Sequence, residues 1–249
     1  MTSHIRTNRI GDVLTVTIDN EPRRNAIGTA SLERLDTLAD EIVTDGVRAV
    51  ILTGAGDKAF TSGFDLNELG DFDPENFLKS RFSDVFEKWA GLPVPVIGAL
   101  NGHCMGGGVH VAVICDMLLS VPGVRFMIPA ARFGFVYVPA SIRRMAGALG
   151  ASRAAQLLYL DQEFVAEDLV QTGFIREIVQ DDIMIRAHEL AEKAAALSPL
   201  AVAAMKEIVR ERPDQSRIED LVRSCAFSED VLEGLAAMRE RRRPMFKGQ

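Results

Sequence analysis

The chain has 249 residues, of which 47% are hydrophobic and 25% charged, with a formal net charge of −7. That is enough apolar material for one substantial core, and the acidic balance argues against general nucleic-acid binding. Residues 1–8 are polar and no apolar run approaches the roughly 18 residues of a membrane span, so neither a signal peptide nor a bilayer helix is expected. Cys104, Cys115 and Cys225 have no metal-ligand spacing, and their odd number fits a reducing, cytoplasmic location.

In chain order, Val13–Ile18 alternates β-branched and apolar residues and predicts a strand. Residues 20–25 then turn, because Pro22 bars further pairing. Arg23 and Arg24 in this turn are either solvated loop charges or a grip on a phosphorylated ligand. Thr29 or Ser31 is placed to cap a helix carrying Leu32, Leu35, Leu38, Ala39 and Ile42 at helical spacing, with Gly46 closing it. Residues 47–53 read as a buried strand. Strand, helix and strand in that order predict a parallel pair with a helical crossover.

Residues 59–66 give a short apolar entry, a glycine and the start of a helix, where Asp65 is either a helix-terminal acid or a catalytic one. Residues 70–92 supply Phe72, Phe77, Phe82, Phe86, Trp89 and Leu92, read either as a helix packed on a sheet or as a lid over an acyl group. A buried strand over residues 94–100 leads into the turn Asn101-Gly102-His103-Cys104-Met105-Gly106-Gly107-Gly108, and residues 109–115 read as a buried helix. Residues 117–121 and 126–129 read as extended, 130–139 as a loop holding Arg132 and Tyr137, and 141–149 and 152–160 as helices. From residue 181 onward the pattern is helical, over 183–197, 200–210 and 216–243. This change sets a boundary between a core, residues 1–195, and a C-terminal helical region, residues 196–249.

The triple glycine at a strand-to-helix turn leaves helix N–H groups unpaired and lets a ligand approach the backbone. By itself it is either an anion or oxyanion cradle or a tight turn with close helix packing. It lacks the Gly-Lys-Ser/Thr of a P-loop and the spacing of a dinucleotide fingerprint, and no metal, nicotinamide or flavin motif appears elsewhere.

The two glycine turns together, Ala59-Phe60-Thr61-Ser62-Gly63-Phe64-Asp65-Leu66 and residues 101–108, resemble the double signature of the crotonase (enoyl-CoA hydratase/isomerase) superfamily. Residues 21–26, with Pro22, Arg23, Arg24, Asn25 and Ala26, are similar to that family's basic loop, and residues 228–234 and 241–246 to its C-terminal pattern. The resemblance implies an α/β crotonase-like (ClpP/crotonase) fold of repeated ββα units with a C-terminal helical trimerisation region, assembled as a homotrimer or homohexamer. It further implies an acyl-CoA substrate, no separate cofactor and no metal. The backbone N–H groups of Phe64 and Gly107 would bind the thioester oxygen. Arg24, Ala26, Ser62, Asp65, Leu66 and Gly106 would border the coenzyme A moiety, and Phe246 and Lys247 would reach the coenzyme A of a neighbouring subunit.

The chain departs from that pattern where hydratases of the family carry two glutamates, which here are His110 and Ala130. The aspartate of dienoyl isomerases would fall near Ala140 or Ser141 and is also missing. His110 and Tyr137 remain as expected catalytic side chains, His110 as a neutral imidazole at a helix start or as a core residue, Tyr137 as a donor of the kind found in a decarboxylase branch. The resulting expectation is an atypical enoyl-CoA hydratase/isomerase-family enzyme. The alternatives are a silent acyl-CoA-binding protein and an acyl-CoA decarboxylase or thioester hydrolase.

Overall fold

The computed structural model of the chain describes residues 3–69, 81–134, 136–211 and 213–249. The expected crossover is present: β2 (Val13–Ile18) runs parallel to β3 (Ala49–Gly54), joined by α1 (Thr29–Thr44). β5 (Val96–Leu100), β7 (Met117–Ser120) and β10 (Glu177–Ile178) extend this parallel sheet, and β1 (Ile5–Ile10) pairs antiparallel at its edge, giving the order β1-β2-β3-β5-β7-β10. β1 lacks an apolar signature because it is an edge strand whose residues, apart from the half-buried Ile5, are exposed.

Alternation along the central strands sorts their side chains into two cores. Ala49 and Ile51 of β3 with Ile97 and Ala99 of β5 pack under α8 (Ile183–Ala195), whose Ile183, Ala187, Ala191 and Ala195 recur on one helical stripe. Val50 and Leu52, one residue out of phase, face the larger core with α1, Phe60 and Trp89.

A second, smaller sheet carries the site. β4 (Ala59–Thr61), β6 (His103–Met105) and β8 (Arg125–Met127) are parallel, with β9 (Phe164–Val165) antiparallel at the edge. The carboxyl ends of β4 and β6 therefore emerge side by side, and those ends are the two glycine turns. α2 (Phe82–Ala90) crosses above them and α3 (Gly107–Ile114) leaves from the second turn. α4 (Ala130–Phe133), α5 (Pro139–Leu149), α6 (Ala151–Tyr159) and α7 (Ala166–Val170) complete the core, and α9 (Pro199–Glu211), α10 (Gln215–Ala226) and α11 (Glu229–Glu240) form the C-terminal helices.

Several local expectations are corrected. The helix at residue 29 is capped neither by Thr29 nor by Ser31. Its N-cap is Gly28, and the Glu68 carboxylate accepts from both Thr29 N and Thr29 Oγ1 at 2.7 Å, while Ser31 Oγ accepts from His4 N. The helix expected over 216–243 is two helices, because Ser228 caps a new one by accepting from Val231 N. Phe72 and Phe77, part of the wall or lid expectation, lie outside the described residues.

Candidate active site

The two glycine turns touch. At Gly63, with φ of +84°, a Cβ would stand 2.5 Å from Gly107 Cα and 2.6 Å from Gly107 N; at Gly107, a Cβ would stand 2.9 Å from Phe82 Cζ and 3.1 Å from Gly63 Cα. Gly106 has φ 54° and ψ −122°, open essentially to glycine alone, and its N–H donates to Met127 O at 2.8 Å. A Cβ at Gly108 would collide with Thr61 O. Each glycine of the triplet thus answers a separate constraint of the junction between β6, α3 and β4.

The backbone at Phe64 is turned outward. Phe64 bridges Ile27 in parallel fashion, with Ile27 N donating to Gly63 O at 2.8 Å and Asp65 N to Ile27 O at 3.1 Å, so its own N–H points away from that partner. Gly107 is the first residue of α3, where amide N–H groups lack helical acceptors. Neither N–H has an acceptor among the described residues.

The basic loop is laced to the first turn. Arg24 and Asn25 both adopt positive φ, Ser62 N donates to Arg24 O at 3.1 Å, Thr61 Oγ1 donates to Asn25 O at 2.6 Å, and Asn25 Nδ2 donates to Ala55 O and Ala59 O. Asp65 is buried, with Arg23 paired to its Oδ2 at 2.8 Å. Burial raises its pKa, but hydrogen bonds from Asn67 and Arg23 prevail and hold the carboxyl below its usual range. Of the two readings of Asp65, the structural one describes its contacts: it ties the basic loop to the Phe64 turn.

These elements enclose a cavity of about 220 Å³. Phe64, Phe82, Met105, Pro129 and Ala130 supply apolar walls, with Gly106 and Gly107 between them; the polar side chains are those of Ser62, Ser83 and Tyr137. Burial pushes the Tyr137 phenol above its ordinary value, and its hydroxyl stands 3.9 Å from the Cβ position of Gly106. Leu66 lines the mouth.

His110 is fully buried and is not part of that lining. Phe82 and Phe86 pack on its ring at centroid distances of 5.9 and 6.1 Å, and Phe82 also covers Gly107. Ser141 Oγ lies 3.2 Å from His110 Nδ1 and 3.3 Å from Nε2, and Glu87 Oε1 stands 3.8 Å from Nε2. Arg144 donates to Glu87 Oε2 at 2.5 Å. His110 and Arg144 together hold the Glu87 carboxyl down to about 2; of the two, Arg144 makes the direct hydrogen bond, while 3.8 Å is an electrostatic distance. Sequence reasoning missed this cluster because Glu87 and Arg144 lie on α2 and α5, where each reads as an ordinary surface charge.

Phe246 and Lys247 are not brought to the cavity within one chain. Phe246 lines an apolar groove among α9, α10 and α11, and Lys247 N donates to Asp230 Oδ1 at 2.8 Å.

A mixed α/β fold with two adjoining glycine turns that present unpaired backbone amides to an apolar cavity defines a crotonase-type protein. The chain belongs to the enoyl-CoA hydratase/isomerase family, whose model matches residues 9–249. It is 30% identical over 269 residues to a carnitinyl-CoA dehydratase of Escherichia coli K12, and similarly 30% identical to one of Citrobacter koseri, with 100% of both chains covered in each case. Among solved structures it resembles an enoyl-CoA hydratase from Bacillus anthracis, at TM-score 0.92 and 28% identity over 99% of this chain and 100% of that one. It also resembles an enoyl-CoA hydratase/carnithine racemase from Magnetospirillum magneticum, at TM-score 0.91 and 26% identity over 100% and 97%.

Proposed function

We propose that the chain is an enzyme that binds an acyl-CoA thioester with its carbonyl oxygen between the N–H groups of Phe64 and Gly107. The observation that carries this reading is the contact between the two glycine turns, which sets two unpaired amides at one cavity. An enolate or tetrahedral intermediate places negative charge on that oxygen, and fixed donors stabilise it more than the ground-state carbonyl; losing one such donor costs about 2.7–4 kcal/mol of barrier. The carnitinyl-CoA dehydratase relatives support the acyl-CoA class.

Tyr137 is the proton donor in this reading, since its hydroxyl lines the cavity beside Gly106 and burial keeps it protonated. His110, screened by Phe82, acts through the placement of α3 and of Phe82. The coenzyme A moiety runs along the loop of Arg24 and Ala26 and the turn from Ser62 to Leu66, with Gly106 beside the thioester. Phe246 and Lys247 serve a neighbouring subunit of a homotrimer or hexamer. The exposed Met205, Leu232 and Met238 on the C-terminal helices support such an assembly.

One observation favours a second reading, a silent acyl-CoA-binding protein: no carboxylate or imidazole lines the cavity among the described residues. Incubation with crotonyl-CoA, methylmalonyl-CoA and a saturated acyl-CoA, followed by absorbance and free thiol, separates hydration, decarboxylation and hydrolysis. Turnover of any of them above buffer sinks the silent reading. Binding of acyl-CoA without turnover sinks the catalytic one.

A further inference from the structure

Behind the cavity wall, three helices meet at one polar cluster. α2 brings Phe82, Phe86 and Glu87 to it, α3 brings His110, and α5 brings Ser141 and Arg144. The starts of the same three helices build the cavity. Phe82, the first residue of α2, stands against Gly107 and edge-on to the Phe64 ring at 6.2 Å, so one ring touches both residues of the amide pair. Gly107 opens α3. Tyr137 precedes Val138, the N-cap of α5, whose carbonyl accepts from Ile142 N at 3.2 Å. The phenol therefore follows α5, while the amide pair follows α2 and α3.

The cluster ties these helices to one another. Arg144 Nη2 donates to Glu87 Oε2 at 2.5 Å, joining α5 to α2, and the two side chains keep 15% and 29% of their surface exposed. Ser141 Oγ lies 3.2 Å from His110 Nδ1, joining α5 to α3, with both residues fully buried. The Phe82 and Phe86 rings pack on the His110 ring, joining α2 to α3. On its other flank α2 meets α1 through Arg81 and Lys88, both paired with Asp36, but these cations are more exposed and water weakens their pull. The Glu87–Arg144 pair is shielded, and Glu87 Oε1 and Arg144 Nε have no other hydrogen-bond partner among the described residues. Removing either member thus leaves the other charge poorly compensated in a shielded place. None of the four polar residues lines the cavity.

We propose that Glu87 and Arg144, with His110 and Ser141, are positioning residues that fix the spacing between the Tyr137 phenol and the Phe64 and Gly107 amides. The assignment rests on the acyl-CoA reading above and adds to it what holds proton donor and oxyanion donors in register. The loop of Arg24 and Ala26 makes no contact with this cluster, so loosening the cluster affects chemistry before coenzyme A binding.

Isotope-edited infrared spectra of carbonyl-13C hexanoyl-CoA bound to the full chain read the alignment at the amide pair, and kcat and KM on whichever thioester the native chain converts read the chemistry. In Arg144→Met, which removes the tie at similar side-chain length, the carbonyl band is expected to lose at least about half of its displacement from the free ligand. There kcat is expected to fall at least about tenfold while KM stays within about threefold. Arg144→Lys is expected to restore both, because the tie is a single bond from Nη2 that an ammonium can replace. Gly46→Ala is the control for stability: φ of +64° strains it, nothing lies within 4 Å of its Cβ position, and the band is expected to stay as in the native chain. Should Arg144→Met fail to fold, Glu87→Gln decides, since it keeps the shape and removes the charge; at least about a threefold loss of kcat is expected. A native band and kcat in the deciding variant, no recovery in Arg144→Lys, or an equal band change in Gly46→Ala each overturns the proposal. A native band at the free-ligand frequency overturns the oxyanion reading and the proposal with it, whereas a displaced native band leaves that reading standing whatever the variants show.

Discussion

Gly63→Ala is the sharpest perturbation the site allows, because it acts on the contact between the two turns while removing neither donor. The new Cβ would stand 2.5 Å from Gly107 Cα, 2.6 Å from Gly107 N and 2.8 Å from Gly107 C, all backbone atoms. Ordinary carbon contact begins near 3.5 Å, so the turns must part by roughly 1 Å. A displacement of that size at a reacting centre costs about 100-fold in rate, and full loss of one oxyanion donor about 100- to 1,000-fold. The alanine also pays about 1–2 kcal/mol of stability for φ of +84°. Gly173→Ala separates the two effects, since Gly173 has φ of +78° with nothing within 4 Å of its Cβ position. Both variants are expected to lose stability in urea titrations, Gly63→Ala the more because of its added clash, but only Gly63→Ala should lose at least about 100-fold in kcat/KM on whichever thioester the native chain converts. Turnover in Gly63→Ala within about threefold of Gly173→Ala would refute the coupling between the turns.

Tyr137→Phe should lower turnover by about 100-fold or more, the usual contribution of a placed proton donor, and because burial raises the phenol pKa, the native rate should not fall as pH rises through 10. Glu87 titrates at about 2 against an ordinary 4.5, so its folded pKa lies below the unfolded one. Its stabilisation is complete above pH 4.5 and lost as pH falls toward 2, and Glu87→Gln should flatten that part of an acid denaturation curve. Asp116 accepts from Val96 N and pairs with Lys206 at 2.7 Å and Arg210 at 3.0 Å, fastening α9 to the core. Burial lowers the Lys206 pKa against the pull of Asp116, so Asp116→Ala strands a desolvated ammonium and should cost about 3 kcal/mol in chemical denaturation.

Much of the frame was legible because its elements are periodic. β2 matches its expected span, α1 and the buried strands begin and end within a few residues of it, and the crossover is parallel as expected. What escaped was set by partners distant in sequence. β1 and β6 have too few apolar residues to announce themselves and exist through pairing with β2, β4 and β8. The cap on α1 comes from Glu68, beyond reach of any local rule. In the site, the glycine turns were readable because their spacing is distinctive, while His110 stayed open between an imidazole at the site and a core residue: its position matches that of a family glutamate, and only the packing of Phe82 and Phe86 sets it behind the cavity wall.

The central claim is that the Phe64 and Gly107 N–H groups polarise a thioester carbonyl. Isotope-edited difference infrared spectroscopy of carbonyl-13C hexanoyl-CoA bound to the chain reads that polarisation directly, without requiring turnover. The carbonyl band should fall to lower frequency than that of the free thioester in water, and should move back toward it in Gly63→Ala. A bound thioester whose band stays at the frequency of the free ligand would contradict the claim.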